Sequence, residues 1–267
     1  MANNGKTKIQ IGTSGYSFLD WIGPFYPEGI EKGKMLDYYV QHFNSVEINS
    51  SYYSIPHPKV FEAMINKVPE NFEFLVKAHK SLTHERKDIM EPTSRFREAL
   101  LPFKETDLLS GVLLQFPYSF KYSDENLNYV KRACDLLIGQ DVFAEFRNRS
   151  WIREEVFQIL EKEGVSFVSV DEPALEGLIE ADAFTTTETG YIRLHGRNTQ
   201  TWWSGGGERY DYLYDERELK EWSKKIEEMK KKTRKIYIFF NNCHHGQAVQ
   251  NAKMMLDLLK ADRGEKS

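Results

Sequence analysis

Tyr191-Ile192-Arg193-Leu194-His195-Gly196-Arg197 reads as a buried strand with two unlike faces. Ile192 and Leu194 point one way, and Tyr191, Arg193, His195 and Arg197 the other, because successive side chains of a strand alternate. Alone, such a stretch fits an edge strand with one wet face. The pattern recurs, however, at 8–13, 46–49, 72–78, 111–116, 142–146, 165–170 and 235–240. If these strands are parallel and alternate with helices, their polar C-terminal ends converge on one rim.

Helical periodicity fills most of the intervals. Apolar residues recur at helical spacing over 35–43, 58–67, 94–104, 124–138 and 153–162, with Pro58 in a first turn and Gly164 as a stop. Leu219, Trp222, Ile226 and Met229 form another stripe, and Gly246 opens a last helix reaching 259. Residues 174–189 are weakly periodic and Thr-rich, so the helix after strand six is expected to be short or missing. The pattern predicts an α/β fold, one (β/α)8 TIM barrel over 1–267 with flexible termini at about 1–7 and 261–267. No Gly-x-Gly-x-x-Gly turn follows any strand, which argues against a dinucleotide-binding open sheet.

The 267 residues are 40% apolar and 13% aromatic, enough for a large core, and the net charge of −4 argues against a strongly basic nucleic-acid binder. No stretch approaches a membrane span and no targeting segment is evident, so a soluble cytoplasmic protein is expected. Two cysteines make no disulfide framework; Cys134 belongs to the stripe Leu127, Val130, Leu137. The lysine-rich run 230–235 follows Glu227 and Glu228, which pair with Lys231 and Lys232 at the next-turn spacing, and reads mostly as a solvated face.

The strings Gly12-Thr13-Ser14-Gly15-Tyr16, Val46-Glu47-Ile48-Asn49-Ser50, Glu145-Phe146-Arg147, the opening stretch 191–197, and Asn241-Asn242 followed by Gly246 and Asn251-Ala252 together resemble the domain of unknown function 72, or YecE-like, family. The resemblance spans nearly the whole chain in order and implies a TIM barrel; it implies no established reaction. Asn148 stands where histidine is common in that family, so no catalytic histidine is carried over to it. In architecture the family is similar to the sugar-isomerase and endonuclease IV-like barrels.

Chemistry-bearing side chains gather at the predicted strand ends: Glu47, Asn49, Lys77, His79, Glu145, Arg147, Asp171, Arg193, His195, Arg197 and Asn241. A structural ion-pair network is the bland alternative, but buried charge is a costly filling for a barrel compared with Val or Leu. The first reading is a hydrolase- or lyase-like enzyme acting on a small anionic, phosphate-containing substrate. Glu145, Asp171 and His195 would be its acid and base groups, with Lys77, Arg147, Arg193 and Arg197 on the anion. The second is a non-catalytic binder of a nucleotide or single-stranded nucleic-acid fragment, with Trp202, Trp203 and Tyr210 as stacking platforms. The third is a glycosidase using Glu145 and Asp171 as a carboxylate pair.

No cofactor is expected. A divalent metal held by His79, Glu145, Asp171 and His195 is the weaker alternative, since no His-x-His or His-Glu-x-x-His spacing occurs and neighbouring cations would repel the ion. His244-His245 and Cys243 read as loop residues rather than ligands or a nucleophile. The aromatic loop 21–27 is expected to cover part of the rim, and the glycine-rich loop 199–214 to act as a lid.

Overall fold

The computed structural model describes residues 7–204 and 206–261. The termini expected to be flexible lie, apart from Thr7 and Ala261, outside the described residues. Parallel strands β1 Lys8–Thr13, β2 Ser45–Ile48, β3 Glu73–Lys77, β4 Leu109–Gln115, β5 Val142–Glu145, β6 Ser166–Asp171, β7 Thr189–Leu194 and β8 Lys235–Phe240 run side by side in the order β1-β8-β7-β6-β5-β4-β3-β2. This is the expected TIM barrel. Helices α1 Met35–Tyr39, α2 Ser50–Tyr53, α3 Pro58–Ile65, α4 Met90–Ala99, α5 Asp124–Asp135, α6 Glu154–Lys162, α7 Glu216–Lys230 and α8 Gln247–Ala261 surround it.

Tyr39 and Gly12 join the two ends of the sheet. Only an isolated bridge pairs Ser14 with Glu47 between β1 and β2. Below it the Tyr39 hydroxyl takes the place of a ladder bond: it accepts from the Thr13 amide at 2.9 Å and donates to the Ser45 carbonyl at 3.1 Å. Gly12 makes the approach possible, since a Cβ there would stand 2.2 Å from the Ser45 carbonyl oxygen and 3.0 Å from the Tyr39 hydroxyl.

No helix occupies 172–188, between β6 and β7. Pro173 and Gly177 interrupt any helical run, and the segment is pinned to β6 by side chains: Thr186 Oγ1 accepts from the Phe167 amide and donates to the Val165 carbonyl, while Ser169 Oγ accepts from the Phe184 amide. The helix predicted over 94–104 instead starts at Met90, with Pro92 in its first turn, and stops at Ala99. Pro102 lacks the amide that would carry it further, and a 3-10 turn Leu101–Glu105 follows. The stripe on α7 is buried as predicted, behind a capping box of Asp215 and Glu218.

Inside the barrel the side chains lie in layers. The middle layer is apolar and aromatic: Leu75, Leu113, Phe143, Val168, Tyr191, Tyr237 and Phe239. Below it, at the N-terminal ends of the strands, Glu73 gathers polar partners. Above it, at the C-terminal ends, lies the charged layer that forms the site. No helix among the described residues is long and apolar enough to cross a membrane.

Candidate functional site

Three glutamates and two arginines interlock above the aromatic layer. Arg193 on β7 is buried, and its Nε and Nη2 donate to the two oxygens of Glu47 at 2.8 and 2.6 Å, while Nη1 donates to Glu145 Oε2 at 2.6 Å. The Tyr191 hydroxyl donates to Glu47 as well. The other oxygen of Glu145 accepts from Arg147 Nε at 2.6 Å, and Arg147 Nη1 reaches Glu172 Oε2 at 3.0 Å. Glu172 Oε1 accepts the Ile179 amide at 3.1 Å. Charge alternates along this chain, which is how buried ions offset their lost hydration.

His195 completes the floor. Its Nδ1 lies 2.9 Å from Asn241 Nδ2 and 3.4 Å from Arg147 Nη2, both donors, so Nδ1 is the acceptor and Nε2 carries the proton, facing Glu145 Oε1 at 3.4 Å. Burial, reinforced by Arg147, holds the imidazole neutral, well below its ordinary range. Burial would raise Glu145, but Arg193 and Arg147 hold it well below the usual carboxylate range. Both groups are fully buried, so they orient their neighbours rather than reach solvent, and the protonated Nε2 of His195 has no hydrogen-bond partner among the described residues.

A cavity of about 360 Å³ opens over this floor, and Lys77, Arg147 and Glu172 are the charged floor groups that line it. Lys77 Nζ donates to Gln115 Oε1 at 2.8 Å and stands 4.3 Å above the Tyr52 ring. Among the described residues no carboxylate lies within 4 Å of it. Burial, reinforced by Arg193, pushes the ammonium down to about 7. Burial also pushes Glu172 up to about 7, against the opposing pull of Arg147. The walls are aromatic: Tyr52, Tyr53, Tyr118, Trp202, Trp203 and Tyr210, with Arg209 and His84 among them.

The expected site residues divide into those this arrangement brings together and those it does not. Glu47, Lys77, Glu145, Arg147, Arg193, His195 and Asn241 meet in the floor, and Trp202 and Tyr210 stand above it. Asp171 does not join them. Its register partner is Leu194, on the outer parity, and its carboxylate faces α7, accepting from Trp222 Nε1, the Tyr214 hydroxyl and the Arg197 guanidinium. Arg197 is thus spent on Asp171 behind the barrel wall, because Gly196 at φ +93° turns the chain out of strand parity. Glu145 and Asp171 therefore form no carboxylate pair. Asn49 leaves strand parity too, adopting helical backbone ahead of α2, and its buried Oδ1 has no hydrogen-bond partner among the described residues. His79 sits aside with Nδ1 3.0 Å from the Ser81 hydroxyl.

The four expected metal ligands are consequently not assembled, and no group of three or more His, Cys, Asp or Glu side chains among the described residues is placed to hold a metal ion. Burial raises the Cys243 thiol above its ordinary range, and its Sγ donates to the Ser14 carbonyl, so it is no activated nucleophile.

Sequence patterning alone passes over Glu172 and His84. Glu172 carries a signal: counting alternate residues from Val168 through Val170 puts it, not Asp171, on the inward face. His84 carries none, since it comes from a π-turn, Ser81–Glu85, after β3. Of the aromatic loops, the one after β7 lines the cavity with Trp202, Trp203 and Tyr210; Trp202 is buried 5.9 Å from the Arg147 guanidinium, and Trp203 lies against Tyr118 but is more than half exposed. The loop containing Trp21, Phe25 and Tyr26 packs beside the rim, where Trp21 Nε1 donates to the Cys243 carbonyl.

The family described as "Protein of unknown function DUF72" matches residues 10–266. The chain belongs to the DUF72 family. It is 35% identical over 270 residues to the UPF0759 protein YunF of Bacillus subtilis (strain 168), covering 94% of each chain. A crystal structure of a DUF72 family protein from Thermotoga maritima MSB8 is similar with TM-score 0.88 and 40% identity, over 95% of this chain and 99% of that one. A second, from Enterococcus faecalis V583, has TM-score 0.84 and 25% identity over 94% and 95%. Membership in DUF72 brings the barrel with it and no reaction.

Proposed function

We propose that the rim cavity is the active site of a lyase-like enzyme that binds a compact anionic substrate, a phosphate monoester or carboxylate, and acts on it by proton transfer. Lys77 and Arg147 hold the anion, aromatic walls cover the rest of the ligand, and Glu172 moves the proton. The carrying observation is that the alternating charge chain leaves Lys77 without a carboxylate at the wall of the cavity that the softly held Glu172 also lines. A group that serves only to fill a barrel end is paired or replaced by hydrocarbon. Glu145 and His195 support this centre from below: Glu145 fixes Arg147, and the His195 tautomer is set by Asn241.

This reading moves the acid and base roles from Glu145, Asp171 and His195 to Glu172 and Lys77, and it disfavours a strand of nucleic acid as ligand. The cavity is sized for one small ring or chain, and Trp202 is already folded down against Arg147.

The charge on the cavity makes the test directional. Below about pH 7 Lys77 is charged and Glu172 neutral; above it Lys77 is neutral and Glu172 charged. Raising the pH through this point removes a positive charge and adds a negative one, so anion binding weakens. Phenyl sulfate, whose own charge is constant there, should quench tryptophan fluorescence with affinity falling about tenfold or more from pH 6 to pH 8, a difference of about 1.4 kcal/mol. Absence of binding by phenyl sulfate and adenosine monophosphate at both pH values would refute the reading.

A further inference from the structure

We propose that Lys77 forms a covalent bond with its substrate: its amine condenses with the carbonyl carbon of an anionic aldehyde or ketone to give a protonated imine. The proposal deepens the reading above and rests on it, because Arg147 would hold the anionic group of the same molecule.

Three features of the surroundings of Lys77 point to a reacting amine rather than a fixed charge. First, its partners are neutral: the Gln115 amide oxygen at 2.8 Å and the face of Tyr52 at 4.3 Å. The lysines at the other end of the barrel, Lys8 and Lys235, lie 2.6 and 3.0 Å from the Glu73 carboxylate instead. Second, the position faces the cavity beside Arg147, which already supplies a permanent, forked cation. A lysine adds something an arginine cannot, namely a nitrogen that can give up its proton and attack. Third, a ring face favours a cation whatever its substituents, so Tyr52 would stabilise the iminium as it does the ammonium. The charged groups around the amine come from every neighbouring element: Glu47 on β2, His84 after β3, Glu145 and Arg147 at the end of β5, and Arg193 on β7. Their sum, with burial, brings the amine down to about 7, so a large share is neutral at neutral pH.

The step balances without any further reactant. The neutral amine adds to the carbonyl carbon, forming a C–N bond, and one proton passes from nitrogen to the carbonyl oxygen. Glu172 in its acid form then protonates the hydroxyl, which leaves as water while the nitrogen lone pair forms the C=N bond. The oxidation level does not change. The iminium draws electrons from the adjacent carbon, and the Glu172 carboxylate left behind is the base that takes a proton from that carbon. Hydrolysis returns amine and carbonyl.

Reductive trapping tests this directly. The wild-type protein is incubated separately with dihydroxyacetone phosphate, pyruvate and 4-carboxybenzaldehyde in the presence of sodium cyanoborohydride, digested, and mapped by mass spectrometry. At least one probe should label the peptide carrying Lys77 stoichiometrically, about tenfold faster than any surface lysine. Excess phenyl sulfate should suppress the labelling, and Lys77→Met should lack it. If all three probes leave Lys77 no more modified than the surface lysines, the imine is excluded. Phenyl sulfate binding to the same preparation then reports separately whether the anion site stands. Because the labelling pattern of the wild-type protein decides, poor folding of the variant leaves the test intact.

Discussion

At the lower end of the barrel the carboxylate of Glu73 accepts from Lys8 at 2.6 Å, Gln10 at 2.8 Å, Ser110 at 2.9 Å and Lys235 at 3.0 Å, and from the Tyr237 hydroxyl. At the upper end Glu47, Glu145 and Glu172 share two guanidinium groups, and Lys77 stands apart on a glutamine and a tyrosine ring. Both ends bury charge, and the ratio of donors to carboxylates differs. Burial would raise Glu73, but its donors hold it at about 2, whereas Glu172 rises to about 7. A saturated carboxylate is a plug whose protonation state never changes near neutrality. An under-supplied one that lines the same cavity as a lysine without a carboxylate partner can exchange protons with a ligand, and that is the physical basis for proposing function at the upper end.

Breaking the upper network should have the largest effect. Arg193→Leu leaves Glu47 and Glu145 buried without their shared counter-ion, and unfolding in urea should show a loss of about 3–5 kcal/mol. A loss below about 1 kcal/mol would mean that the two carboxylates find other partners and that the network is not a unit.

Glu73→Gln sharpens the contrast from the other side. It removes the charge on which Lys8 and Lys235 converge, so a smaller loss, about 1–3 kcal/mol at pH 7, is expected, with phenyl sulfate binding unchanged. The pH dependence has a definite sign. Glu73 is held below its unfolded value, so its contribution is fully present above about pH 5 and is lost as the pH falls toward about 2. The variant should therefore lose less stability than the wild type between those pH values. A change in phenyl sulfate affinity would show that the two ends are coupled through the barrel.

The barrel was legible because its rules are local. Alternation marks the strands, the stripe Leu219, Trp222, Ile226, Met229 marks a helix, and the alternation of strands with helices fixes where polar ends fall. Parity carried Glu47, Lys77, Glu145, Arg193 and His195 to the correct face. It failed for Asp171, where β6 runs one residue further than its apolar run and the face is set by Val168 and Val170. It failed for Arg197 as well, because a positive-φ glycine resets the direction of the chain. What sequence could not reveal is who pairs with whom. Arg193 was a candidate anion anchor by type, yet two glutamates from distant strands consume it, and that depends on the curvature that brings β2, β5 and β7 together.

The most direct measurement is the titration of the glutamate carboxyl carbons by carbon-detected NMR on uniformly ¹³C-labelled protein, with Glu172→Gln and Glu73→Gln assigning the two signals. The expected result is a Glu172 midpoint near 7 and a Glu73 signal that stays in its ionised position down to about pH 3. A Glu172 midpoint below 5, or the two residues titrating together in the ordinary carboxylate range, would contradict the division of the barrel into a saturated plug and a reactive end.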